Sequence, residues 1–523
     1  MRINLERFLM ASCFSSERSC NRVSEQLSSC IEKTIKNELD EDQTHKIRPD
    51  FRALLSDCNR IAIASIISPM NEETIKVIDG TDDKEFPILI GGKKPVWWKG
   101  EFNPENPEHV AKLAEKTRLH IGTFLRLPNV AFLLGAGCSM DAGGISLAKI
   151  PSSIKAQLQG NARTLFDKVL QTLIGYDPTM KQEEDIDFNL ETLLSRLYIW
   201  QNSMEGDKIT KIALKDGADT LLEVSLDDLK ELIWQLKAAL LSSCNLPQEA
   251  ERKEIKTHCE MLFKVLTRPV HLRRVNLFTL NYDTLIEQAA DYIGANLIDG
   301  FVGTIERTFR PESYDQDFYY PGQTTEGRVH RLEKVLHLYK LHGSINWRRG
   351  KQDMGNPYGL YATQKPSESG KEDEVIIYPT PLKYGEVLGL PYSELFRRFA
   401  SAIVQPQSVL FVIGYGFGDE HVNTIIKQAL AIPSFFLVIV DPKAHKKFKT
   451  LAQKYYHQED HQWGQIWSIA QTFKEFVGNL LPDIAEEEHL IRMRGIEKRI
   501  AQEDGEGTLP DQASEASEEN DGK

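Results

Sequence analysis

Four apolar runs, far apart in the chain, each end on glycine or polar residues. VAFLL runs into Gly135-Ala136-Gly137-Cys138-Ser139 and NLFTL into Asn281-Tyr282-Asp283. LHLYKL runs into His342-Gly343-Ser344, and VLFVI into Gly414-Tyr415-Gly416-Phe417-Gly418-Asp419. A strand covered by helices on both faces has no polar side, so it reads as a continuous apolar run. Four such runs predict an α/β fold with a doubly wound, mostly parallel, Rossmann-like sheet. Sheets of this kind take ligands outside the carboxyl ends of their strands. The four polar segments are therefore expected to meet in one cleft.

The chain has 523 residues, long enough for two or three domains and a full core. Its formal net charge is −13, unevenly spread: residues 501–523 alone hold eight acids and one lysine. That tail has almost no apolar content and reads as disordered. The remainder carries no strong basic stripe, so direct nucleic-acid binding is not expected. The seven cysteines, Cys13, Cys20, Cys30, Cys58, Cys138, Cys244 and Cys259, include no C-x-x-C pair. That spacing argues against a disulfide framework and a four-thiolate zinc site, and points to a reducing cytoplasm. No segment reads as a signal peptide or a membrane span.

Residues 1–105 read as an accessory or assembly region, with a helix at 17–38, short strands at IAIASIIS, TIKVI and FPILI, and the adjacent pair Trp97-Trp98. From 106 to 482 helices and strands alternate. This module is interrupted at about 155–270 by a helical insertion in which no strand is evident. Residues 483–500 read as a charged helix.

Glycines at Gly135 and Gly137 suit the close approach of backbone to a pyrophosphate, with Ala136 between them and Ser139 as a hydroxyl donor. A tight turn is an equally good reading of G-A-G alone, and the spacing is not that of an ordinary dehydrogenase fingerprint. Cys138 has no basic neighbour in sequence and reads as a packed residue. Asn281 could cap the next helix. Beside His342, a role in holding a ribose hydroxyl or a water is favoured for it, while Asp283 stands even between cap and ligand. His342, at the mouth of a strand and followed by Gly343, suits a general base near neutral pH, whereas His337 lies inside the apolar run and reads as structural. Gly414, Tyr415, Gly416 and Phe417 could run a backbone along an adenosine with an aromatic stacked on it. Asp419 and Glu420 read as caps of the following helix, and His421 as packing. Asp441, ending FFLVIV, is placed for a ribose hydroxyl, with a plain turn nearly as good.

Taken together, GAGCSMDAGG, TLNYDTLIE, KLHGSINW and GYGFGDEHVN resemble the sirtuin-like module of bacterial anti-phage NAD hydrolases, over roughly residues 110–480. NLETLLSRL, IIYPTPLKY and PYSELFRRF add to the resemblance. It implies that Asn281 and His342 carry catalysis and that Gly135–Ser139 and Gly414–Gly418 contact NAD. Protein-deacylating sirtuins have a four-cysteine zinc ribbon and a Pro-Asp-Phe-Arg run, and neither is present here. The resemblance implies NAD as substrate, no further cofactor and no metal. It also implies a homo-oligomer or a separate activating chain such as a HerA-type ATPase, and depletion of cellular NAD in abortive infection as the outcome. An NAD-dependent deacylase, or a non-catalytic scaffold binding NAD or ADP-ribose, are the rival readings.

Overall fold

The computed structural model describes residues 86–484, apart from 145–153, 156, 175–189, 217–219, 247–254, 322–328, 365–373, 377–388 and 456–463. The helix and strands expected before residue 86, the charged helix after 484 and the acidic tail lie outside the described residues, as do the PTPLKY residues of the IIYPTPLKY segment.

The strands, in chain order, begin with β1 (Ile88–Ile90) and β2 (Asn129–Leu134), followed by the hairpin β3 (Lys211–Asp216) and β4 (Thr220–Ser225). Next come β5 (Asn276–Thr279), β6 (Asn296–Ile298), β7 (Phe301–Val302), β8 (Arg307–Phe309), β9 (Tyr319–Pro321) and β10 (Val329–Arg331). Then follow β11 (Val335–Lys340), β12 (Gly343–Arg349), β13 (Leu360–Ala362), β14 (Glu374–Ile376), β15 (Ser408–Ile413), β16 (Phe435–Val440) and β17 (Ile466–Ile469). Eight of them form the main sheet, in the order β1-β17-β16-β15-β2-β5-β11-β6. Every pairing in it is parallel except that of the edge strand β1 with β17. From β2 the chain builds outward through β5 to β11 and β6. It then returns to the other side of β2 and builds outward again through β15, β16 and β17. The direction reverses between β2 and β15, which makes the crevice at their carboxyl ends the place where such a sheet takes a ligand.

The apolar runs are buried on both faces, as a parallel strand requires. In β2, Val130, Phe132 and Leu134 join one core, and Ala131 and Leu133 join the other. The first core is covered by helix α1 (Pro107–Leu125), which starts where the Asn106 side chain accepts from Glu108 N and turns Leu113, Ile121, Phe124 and Leu125 inward. The second core is covered by α7 (Tyr392–Ile403), α8 (Glu420–Leu430) and α9 (Ala444–Tyr455). Between α1 and α7, the chain forms α2 (Gly160–Ile174), α3 (Leu190–Gly206), α4 (Leu226–Cys244), α5 (Lys256–Leu266) and α6 (Leu285–Ile293). Helices α2, α3 and α4 build a third core, which takes in Ile345 and packs against Tyr282.

One expectation changes here. The insertion is not purely helical: β3 and β4 pair antiparallel within it, register Lys211 with Ser225 to Asp216 with Thr220. Trp98 is buried with Phe86, Phe102 and His109 around it, while Trp97 stacks on His120 of α1. With β1 on the sheet edge, residues 86–105 pack into the first core, where aromatic rings gain more from burial than at a free edge. Tyr314 is buried, stacked on Tyr339, and its hydroxyl donates to the Asp299 and Leu338 carbonyls. No helix among the described residues is long and apolar enough to cross a membrane.

Candidate active site

The two glycine turns touch. Gly135 N donates to Ile413 O and Gly137 N to Gly414 O, each at 2.9 Å. A Cβ on Gly137 would stand 2.6 Å from Gly414 Cα, and one on Gly135 2.6 Å from Gly414 O. Gly414 also has φ +63°, which L side chains disfavour. These three glycines are thus required by the contact of the loops. Gly416 and Gly418 differ: both are exposed, and a Cβ on either would meet nothing within 4 Å. Ala136 is exposed at the same rim. Backbone available to a ligand is therefore concentrated at Ala136, Gly416 and Gly418.

Asn281 follows β5 and reaches across to the first turn. Its Nδ2 donates to Gly135 O at 2.9 Å and to Ser139 Oγ at 3.0 Å. A carbonyl can only accept, so Gly135 fixes which way the amide faces and leaves Oδ1 as the acceptor for anything arriving. Ser139 passes its own hydrogen to Asp283 Oδ2 at 2.6 Å, and Asp283 Oδ1 accepts from Leu285 N at 3.2 Å. Asp283 thus braces the start of α6 and, through Ser139, Asn281. Ser139, expected to donate outward, spends its proton inside the site. Cys138 is buried with Sγ on Ile413 O, and burial, with Asp283 next in effect, raises its thiol pKa well above the usual range. It is a packed thiol.

His342 sits where the chain leaves β11, 7% exposed, with its ring beside Phe396. Nε2 lies 3.0 Å from Asp419 Oδ2. The backbone around it is pinned to the Asn281 segment: Tyr282 O accepts from Ile345 N at 3.0 Å and from Ser344 Oγ at 3.3 Å. Lys340, two residues before the histidine, is 3% exposed. It donates to Glu287 Oε1 at 3.0 Å, to Tyr282 O and to the Asp283 carbonyl. Burial raises the Glu287 carboxyl pKa against the opposing pull of Lys340. A lysine inside an apolar run was the signal for this clamp, and the sequence reading passed over it.

Tyr415 is buried under its own turn: its hydroxyl accepts from Asp419 N at 2.9 Å and donates to Asp419 O. Phe417, with φ +56°, is half-buried above it and is the aromatic of the pair nearer solvent. Asp441 accepts from Lys443 N at 2.8 Å through Oδ1, and its Oδ2 is paired with Lys447, which also donates to Tyr415 O. His421 packs edge-on against Phe396. Among the described residues no three or more His, Cys, Asp or Glu are grouped as a metal site. A separate cavity of about 1680 Å³ opens between α6 and a second, five-stranded sheet of order β14-β12-β13-β8-β7, lined among others by Glu287, Asp299, Arg307, Asn346 and Tyr361. It touches neither Asn281 nor His342, so its size does not make it the reaction centre.

With the sheet's switch point and these contacts in place, the likeness to known proteins can be located. Residues 275–459 match the model of the SIR2-like domain. That span holds Asn281, His342, the second glycine turn and Asp441, and leaves the first glycine turn outside. A crystal structure of a Sir2 homolog–NAD complex is similar at 11% identity, over 71% of this chain and 94% of that one, with a TM-score of 0.34. No curated protein matches the chain.

Proposed function

We propose that the chain hydrolyses the bond between nicotinamide and ribose in NAD, releasing nicotinamide and ADP-ribose. The observation that carries the reading is that Asn281 bonds the first glycine turn and His342 lies 3.0 Å from Asp419 at the end of the second, the two turns touching at the switch point of the sheet. The match of residues 275–459 to the SIR2-like domain supports a nucleotide of this class as substrate. Gly416 and Gly418, with space where side chains would stand, suit the dinucleotide backbone. Nicotinamide leaves a pyridinium as a neutral molecule, so the leaving group needs no general acid, unlike an O-glycoside. What remains is an oriented water and a base. The Asn281 Oδ1 acceptor holds the water or a ribose hydroxyl, and His342 removes the proton.

Unrestrained turnover would exhaust cellular NAD. We therefore place the activity in anti-phage defence, held in check by self-assembly or by a separate chain of the HerA-type ATPase kind. The test is nicotinamide release from NAD by the purified chain without added metal, alone and with candidate partner chains, beside an acetyl-peptide arm. Nicotinamide and ADP-ribose in equal amounts, with the peptide untouched, is the expected result. NAD bound but never cleaved, with the peptide deacetylated, would overturn it.

A further inference from the structure

We propose that Asp419 is the positioning carboxylate of His342, and that the second glycine turn is built to deliver it. The inference rests on the reading of His342 as the base.

Asp419 has two jobs on two oxygens. Oδ1 caps α8, accepting from His421 N at 3.0 Å and Val422 N at 3.4 Å. Oδ2 is 3.0 Å from His342 Nε2, with both side chains about nine-tenths buried. A helix cap needs only the first oxygen, and caps are ordinarily left at the surface. Here the turn bends so that the second oxygen faces an imidazole. Tyr415 holds the Asp419 backbone from both sides, its hydroxyl accepting from N and donating to O. Asn423 Nδ2 closes the loop on Phe417 O at 2.9 Å. Such bracing around one residue positions a side chain more tightly than capping requires.

The carboxylate lies 3.0 Å from Nε2 without the angle of a hydrogen bond, so it acts through its charge, stabilising the imidazolium that forms when His342 takes a proton from water. The other titratable groups on the surrounding elements have their own partners: Asp283 with Ser139, Lys340 with Glu287, and His421 against Phe396.

Asp419→Asn separates the two jobs, because asparagine caps a helix as well as aspartate but carries no charge. Asp419→Ser also caps and is too short to reach His342, so it carries the same test should the first variant misfold. Both are expected to keep the melting temperature and KM for NAD. Their kcat should fall by roughly 10–10³-fold, no more than the loss of the base itself. The imidazole signal of His342, followed by NMR on histidine-labelled protein and assigned by its absence in His342→Ala, reports without turnover. Its titration midpoint should move to lower pH in both variants, because the imidazolium loses its counter-charge. An unmoved midpoint, or wild-type kcat in both variants, overturns the proposal and leaves the base assignment intact. Full turnover in His342→Ala would instead overturn the base assignment.

Discussion

The strand β11 carries a histidine near its middle and leads into another at its exit, and the two live in different chemistry. His337 lies within the parallel ladder, Nδ1 3.3 Å from Asn276 Oδ1, and burial pushes its pKa down to about 4. His342 stands where the ladder ends and faces a carboxylate from the segment that follows β15. Within the ladder every neighbour is fixed by register, so a polar side chain can only be accommodated. Past the ladder the chain is free to bring together groups from β2, β5, β11 and β15, and only there can a side chain be offered a substrate.

The comparison breaks most visibly by substitution at its two ends. His342→Ala is expected to lower nicotinamide release by roughly 10²–10⁴-fold in a protein that still folds. His337→Ala should leave turnover intact and lower the melting temperature by emptying a packed site. The reverse pattern would mean that the strand end is structural and the ladder functional. Next comes Lys340, the last residue of the ladder. Lys340→Met removes a buried donor to Glu287, Tyr282 O and the Asp283 carbonyl and leaves those acceptors without it. A stability loss of about 3 kcal/mol in chemical denaturation is expected. Loss of turnover without loss of stability would move Lys340 into the chemistry.

The glycine turns sharpen the comparison at smaller scale. Gly137→Ala should cost about 1–3 kcal/mol, since its methyl would meet the Gly414 backbone. Gly416→Ala should leave stability untouched and weaken NAD binding in calorimetry. Equal stability losses in the two variants would refute the distinction between glycines of contact and glycines of approach. The last effect is with pH. His337 and His258 both have pKa values lowered to about 4, chiefly by burial, against 6.5 unperturbed. Between those values the unfolded chain binds protons that the folded one does not, so stability falls as pH falls from 6.5 toward 4 and levels below it. His337→Gln should flatten part of that slope in denaturation series at successive pH values. A slope identical to that of the wild type would show that His337 is not held neutral.

The sheet was legible because strands buried on both faces announce themselves as apolar runs, as β2, β5, β11 and β15 do. The hairpin of β3 and β4 was not. KIALKD and TLLEVS mix charged and apolar positions inside a stretch of helical periodicity, and short strands of that kind leave little signal. The residue types of the site were legible at the strand ends, but their partners were not. Asp419 satisfies every sequence criterion for a cap, and nothing local says that its second oxygen meets a histidine from another strand. The outward role expected of Ser139 overlooked Asp283, whose carboxylate is brought to it by the pairing of β2 with β5.

The touching glycine turns also divide the loop residues by how freely they can change over generations. Gly135, Gly137 and Gly414 must stay without side chains for as long as β2 and β15 are neighbours, whatever the protein does. Gly416 and Gly418 are held by no such neighbour. In descendants that have lost their chemistry, the first three should persist as a relic of the architecture while the other two drift.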